Sequence, residues 1–116
     1  MDDCVFCGIV GKTIPAEIVY EDDQVLAFQD LHPSAPVHFL IIPKEHHPDL
    51  ETLSDPNLMN HLLTVAKKLG AEHSAELGYR ILANSARQAE IDHVHVHLLG
   101  GLRSEEALHS RGGDLT

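Results

Sequence analysis

Near the C-terminal end of the chain three histidines occupy alternate positions, His93, His95 and His97, interleaved with Val94 and Val96 and followed by Leu98. Side chains of an extended strand alternate between two faces, so this spacing dictates a strand with imidazoles on one face and core on the other. The alternation of apolar residues makes that strand half-buried. An imidazole is neutral or charged near physiological pH and serves as nucleophile, proton carrier, phosphate donor or metal ligand. Two such rings at i and i+2 can share one ion. Three cannot easily do so, because a rise of about 3.3 Å per residue sets the outer pair roughly 13 Å apart at their backbones. At least one histidine of the row is left for other work.

The 116 residues suffice for one domain with a single ordinary core. At 43% hydrophobic and 22% charged the composition is that of a globular protein, without repeats or low-complexity tracts. Eighteen acidic residues against eight basic give a formal net charge of -10, and no basic cluster exceeds Lys67-Lys68, which argues against binding long nucleic acid. A small phosphorylated ligand remains compatible, since local donors outweigh a distant field that salt screens within about 8–10 Å. The start Met1-Asp2-Asp3-Cys4 lacks the basic and apolar regions of a secretory signal, and no apolar run is long enough to span a bilayer; the expected location is cytoplasmic.

Cys4–Val10 reads as a short helical segment ended by Gly11 and Pro15. Glu17–Tyr20 and Val25–Phe28 are β-rich runs around an acidic turn, the signature of a hairpin. The two prolines of Asp30–Pro36 make a loop, and His38–Ile42 is a third strand stopped by Pro43. Ser54 is the candidate N-cap of a helix with Pro56 in its first turn. Leu58, Leu62, Val65, Ala66 and Leu69 then recur at helical spacing, so a long amphipathic helix runs to about Ala75, slightly weakened by Gly70. Tyr79–Ala83 and the histidine strand complete the expectation: an α+β domain, a five-stranded antiparallel sheet with one long helix and a short N-terminal helix. The domain core spans about residues 4–101, followed by a polar tail at 102–116.

Taken with Asp30–Lys44 and with Gly100-Gly101 after the row, the three histidines resemble the histidine-triad (HIT) superfamily, and within it the Hint branch of purine nucleoside phosphoramidases. The resemblance covers Cys4 to Gly101. It implies a homodimer that hydrolyses a purine nucleoside phosphoramidate through a nucleotidyl-histidine intermediate, with no catalytic metal. By this likeness His95 is the nucleophile, its second ring nitrogen held by the main-chain carbonyl of His93. His97 contacts the phosphate and His38 is the fourth active-site histidine; together they offer donors to developing charge. Asp30 accepts from the ribose hydroxyls, as a carboxylate can from both at once. Phe6, Ile9, Ile14, Phe28 and Leu31 match the apolar walls around the purine, Asn84 matches a polar residue beside the phosphate, and Glu90 is grouped with the substrate-binding residues.

The pair Cys4-x-x-Cys7 has no strand before it, which speaks against a redox motif, and a disulfide does not suit a reducing cytoplasm. Bacterial members of the superfamily bind zinc through such a pair, and by that likeness Cys4, Cys7, His46 and His93 form a structural zinc site. Two thiolates and two imidazoles satisfy the tetrahedral ion.

The sequence departs from the family pattern at Ser85–Glu90, which is shorter by about two residues and lacks glycine. Asp92 adds negative charge near an anionic substrate, for which Arg87 would compensate, and Leu102 stands where an arginine is common. Three rivals follow. One is a dinucleoside polyphosphate hydrolase or nucleotidyltransferase of another HIT branch; the second is a nucleotide- or zinc-binding adaptor with little turnover. The third is metal-dependent hydrolysis at the histidine row.

Overall fold

The computed structural model describes residues 4–85, 89 and 91–101. Its elements follow the order α1 (Val5–Val10), β1 (Ile18–Glu21), β2 (Val25–Gln29), β3 (Val37–Pro43), α2 (Pro56–Ser74), β4 (Tyr79–Ala83) and β5 (Val96–Gly100). The five strands form one antiparallel sheet in the order β1-β2-β3-β5-β4, with α2 across one face, as expected from the sequence. Alternation sorts the buried residues into two layers. Val25, Ala27, Phe39, Ile41, Val96 and Leu98 meet Leu58, Leu62, Val65, Ala66 and Leu69 of α2, whereas Leu26, Phe28, Leu40 and Ile42 meet Phe6 and Ile9 of α1.

The histidine row differs from expectation in two ways. Regular pairing begins only at Val96, opposite Ile41 and Ala83, while residues 91–93 bend and Val94 N–H bonds instead to the carbonyl of His47. The cause is the end of β3 at Pro43: beyond it the neighbouring chain turns away, and the row pairs with a loop. The row is also not half-buried, because His93, His95 and His97 are at most 1% exposed. Helix α1 and its Phe6 cover the face that the sequence leaves to solvent.

Asp55, not Ser54, caps α2: its backbone is extended and its side chain accepts from the N–H of Asn57 at 2.9 Å. Proline at the first helical position forces the residue before it out of the helical region, which makes that residue the cap. The helix ends at Ser74, within a residue of expectation. Gly70 has a packing reason, since a Cβ there would lie 2.6 Å from the ring of Tyr79. Ser74 Oγ donates to the carbonyl of Gly78 and accepts from the N–H of Gly101, each at 2.7 Å, tying the end of α2 to the chain entering β4 and leaving β5.

The hairpin turn holds a polar cluster that the sequence does not announce. Asp22 Oδ1 accepts from the N–H groups of Gln24 and Val25, while Oδ2 accepts from Tyr20 Oη and His61 Nε2, each at 2.6 Å, joining the hairpin to α2. Burial works against the charge of Asp22, but the bonds from Tyr20, Gln24, His61 and Val25 outweigh it and hold the carboxyl well below the usual carboxylate range. A depressed folded-state pKa contributes stability above the unfolded value of about 3.9 and loses it as pH falls. Asp22→Asn is therefore expected to cost about 1–2 kcal/mol at pH 7. In pH-dependent denaturant unfolding, its gap to the parent should close progressively below about pH 4.

Candidate functional site

The sheet face under α1 carries the candidate residues, and the register sets them side by side. His97 lies between Leu40 and Leu82, and Leu99 between His38 and Arg80. Asn84 follows Ala83, the partner of Val96, and so reaches the level of His95 beyond the end of the ladder.

His95 Nδ1 stands 2.7 Å from the main-chain carbonyl of His93. A carbonyl only accepts, so Nδ1 carries the hydrogen, and Nε2 of the neutral ring carries the lone pair. The ring of Phe6 meets His95 edge-on at 5.1 Å and fixes its plane. His38 has the opposite arrangement: its Nδ1 accepts from Ser34 N–H at 2.9 Å, which leaves the hydrogen on Nε2. That Nε2 lies 2.9 Å from His97 Nδ1 and 3.4 Å from Asp30 Oδ2. A neutral His97 accepting there carries its own hydrogen on Nε2. Burial pushes His38 below the ordinary histidine range, partly opposed by Asp30, and favours the neutral ring that this chain of bonds requires.

Cys4, Cys7, His46 and His93 converge at the other end of the row. Cys4 Sγ is 3.3 Å from His93 Nδ1, Cys7 Sγ is 3.3 Å from His46 Nδ1, and the two Nδ1 atoms are 3.2 Å apart. Tetrahedral zinc, with bonds of about 2.3 Å to sulfur and about 2.0–2.1 Å to nitrogen, separates its ligands by about 3.3–3.8 Å. The donor set fits the ion. His93 Nε2 donates to the carbonyl of Pro43 at 2.8 Å, which leaves Nδ1 as the ligating nitrogen, and burial pushes the ring's pKa down to about 4, keeping it neutral. Burial and the adjacent Cys4 sulfur push the Cys7 thiol up. Two thiolates this close need a cation to hold both charges.

An apolar pocket of about 150 Å³ opens beside Asp30. A cavity of about that size takes a single aromatic ring. Phe6, Ile9, Phe28 and Leu31 line it, and the ring of Phe6 also abuts His93 and His95, so the pocket adjoins the histidine row. Among the described residues the structure thus brings together one imidazole held through Nδ1 by a main-chain carbonyl, a second bonded to a buried histidine, a buried carboxylate and an apolar slot.

The family model for the HIT domain matches residues 11–104. The chain belongs to the HIT domain family. An uncharacterised HIT-like protein of Synechococcus elongatus is 43% identical over 104 residues, covering 86% of this chain and 91% of that relative. Among solved structures, a HIT family hydrolase from Legionella pneumophila superposes with a TM-score of 0.82 at 43% identity, covering 87% of this chain and 95% of the other. A zinc-bound histidine triad family protein from Mycobacterium smegmatis gives 0.80 at 29% identity, covering 90% and 78%.

Within this HIT domain, one expected residue sits elsewhere than anticipated. Ile14 is not in the pocket wall; it packs at the side of α1 against Gly8, where a Cβ would lie 2.5 Å from its Cδ1. His38 is 1% exposed, and its Nε2 lies 2.9 Å from His97 Nδ1 on the neighbouring strand, as expected. Glu90 and Arg87 lie outside the described residues. Sequence reasoning missed Leu40 and Ile91 in the pocket wall. Leu40 was findable, since it shares the face of His38 two residues on; nothing in the local pattern marks Ile91.

Proposed function

We propose that this protein is a nucleotide-binding hydrolase that cleaves purine nucleoside phosphoramidates to the nucleoside monophosphate and an amine. The observation that carries the reading is the bond from His95 Nδ1 to the carbonyl of His93, which in the neutral ring puts the lone pair on Nε2. His95 Nε2 attacks phosphorus, a P–N(His) bond forms, and the P–N bond to the amine breaks, the amine nitrogen taking a proton from solvent as it leaves. Water then attacks phosphorus, the P–N(His) bond breaks, and the released proton passes to solvent. His97 Nε2–H offers a donor to the phosphate oxygens. The purine enters the apolar pocket, Asp30 at its rim accepts from the ribose hydroxyls, and Asn84 at the level of His95 meets the phosphate.

In this reading Cys4, Cys7, His46 and His93 hold a structural zinc, an assignment favoured by their spacing and by the zinc-bound Mycobacterium smegmatis relative. The ion supplies charge and cross-linking, and the chemistry runs without it. The single domain, residues 1–116, works in the cytoplasm, where both thiols stay reduced. A homodimer is part of the same proposal. Strand β4 is a sheet edge, and Tyr79 and Ile81 on it are each 37% exposed, with Leu77 just before the strand exposed as well. A second copy would satisfy that edge.

The test is a panel of an adenosine phosphoramidate, its guanosine counterpart and a dinucleoside polyphosphate, with intact mass read during slow turnover. A nucleotidyl adduct and preference for the phosphoramidates are expected. Cleavage of the polyphosphate alone, or no adduct with any of them, defeats the proposal.

A further inference from the structure

We propose that Asp30 positions His97 through His38, so that a ribose held at Asp30 speeds the reaction at phosphorus as well as tightening binding. The inference rests on the nucleotide-hydrolase reading above. Ser34 N–H occupies His38 Nδ1, so His38 has one hydrogen, on Nε2, to share. His97 Nδ1 accepts it at 2.9 Å, while the Asp30 carboxylate pulls on it electrostatically, with Oδ2 3.4 Å from the same nitrogen and outside hydrogen-bond geometry. All three side chains are buried, at 1%, 0% and 6% exposure, so bulk water does not replace a partner lost from either side. The same hydrogen prevents Asp30, His38 and His97 from sharing a cation, although their donor atoms lie within 4.8 Å of one another.

The competition decides what His97 presents. When His38 donates to His97 Nδ1, the hydrogen of a neutral His97 sits on Nε2. When the carboxylate draws the His38 hydrogen, that constraint on His97 relaxes and its other tautomer becomes accessible. Asp30 Oδ1 already accepts from His32 N–H at 2.9 Å, so Oδ2 is the oxygen that serves both His38 and an incoming hydroxyl. A ribose hydroxyl donating to Oδ2 weakens its hold on His38, commits that hydrogen to His97, and fixes His97 as an Nε2–H donor. No covalent bond changes; the standing His38–His97 hydrogen bond is strengthened as the carboxylate's pull is taken up by the sugar. Asp30 is thus a positioning residue as well as a sugar contact.

Two measurements on the full-length protein test this. Nitrogen-15 NMR of the imidazoles should show AMP raising the Nε2–H population of His97 and 2′,3′-dideoxy-AMP leaving it unchanged. In turnover, kcat for adenosine phosphoramidate should exceed that for its 2′,3′-dideoxy analogue by about five- to tenfold, the worth of one hydrogen bond. In His38→Ala the kcat ratio should fall to about one while the KM ratio persists, because Asp30 still grips the sugar. Should that variant fail to fold, the parent protein's substrate comparison and spectra decide alone. Equal kcat for the two substrates, with identical His97 signals for the two nucleotides, overturns the coupling and leaves the hydrolase reading intact. If neither nucleotide binds, the hydrolase reading falls and takes the coupling with it.

Discussion

His95→Ala is expected to lose turnover of an adenosine phosphoramidate by about 10⁴- to 10⁶-fold, the scale on which removing a covalent nucleophile acts. AMP binding should stay within about threefold of the parent, because the base slot and Asp30 hold the nucleotide without the His95 ring, which makes the difference nearly pure transition-state loss. The variant leaves a small void beside Phe6, whose ring now meets His95 at 5.1 Å, so a modest fall in Tm accompanies it. Calorimetric titration with AMP and single-turnover kinetics separate the two effects. Activity retained within tenfold would remove His95 from the chemistry, and an inactive parent protein would favour the adaptor reading.

Stripping the zinc proposed for Cys4, Cys7, His46 and His93 should have the second largest effect. Helix α1 spans only Val5–Val10, far below the length at which a helix holds itself in water. Its anchor is the pair of sulfurs against His46 and His93. Without a cation the two thiols must take up protons and the cross-link is lost, a change worth several kcal/mol and on the order of 10 °C in Tm. Phe6 and Ile9 leave the pocket wall with the helix, so KM for the nucleotide should rise as well. Scanning calorimetry with and without a chelator, beside the same comparison on Cys7→Ser, measures both. Unchanged Tm and KM after complete metal removal would deny the ion its structural part; activity lost from a fully folded apo-protein and regained with metal would move it into the chemistry.

Local signals carried the fold. The β-rich runs at 25–28, 38–42 and 79–83, bounded by turn residues and proline, and the helical recurrence from Leu58 to Leu69 place the elements within a residue or two of where they stand. The errors arose where a distant segment intervenes. Val94 pairs with His47 rather than with a strand, and α1 covers imidazoles that the alternation alone leaves in water. The metal quartet joins positions up to 89 residues apart, and only family likeness linked them. Tyr20, Asp22 and His61 show the complement: 39 residues separate the last two, no motif connects them, and their bond became visible only when α2 was laid beside the hairpin. Gly70 looked like a weakness in the helix and is the hollow that receives Tyr79.

The stretch from Val94 to Leu99 is enclosed on both sides and flanked by strands on both edges along β5. Its amide protons should therefore be among the slowest in the molecule to exchange with deuterium, released only when the whole domain opens. The imidazoles mounted on that segment inherit its rigidity, which would hold the proposed nucleophile His95 in line. Whatever flexibility turnover demands must come from the thinner wall on the α1 side.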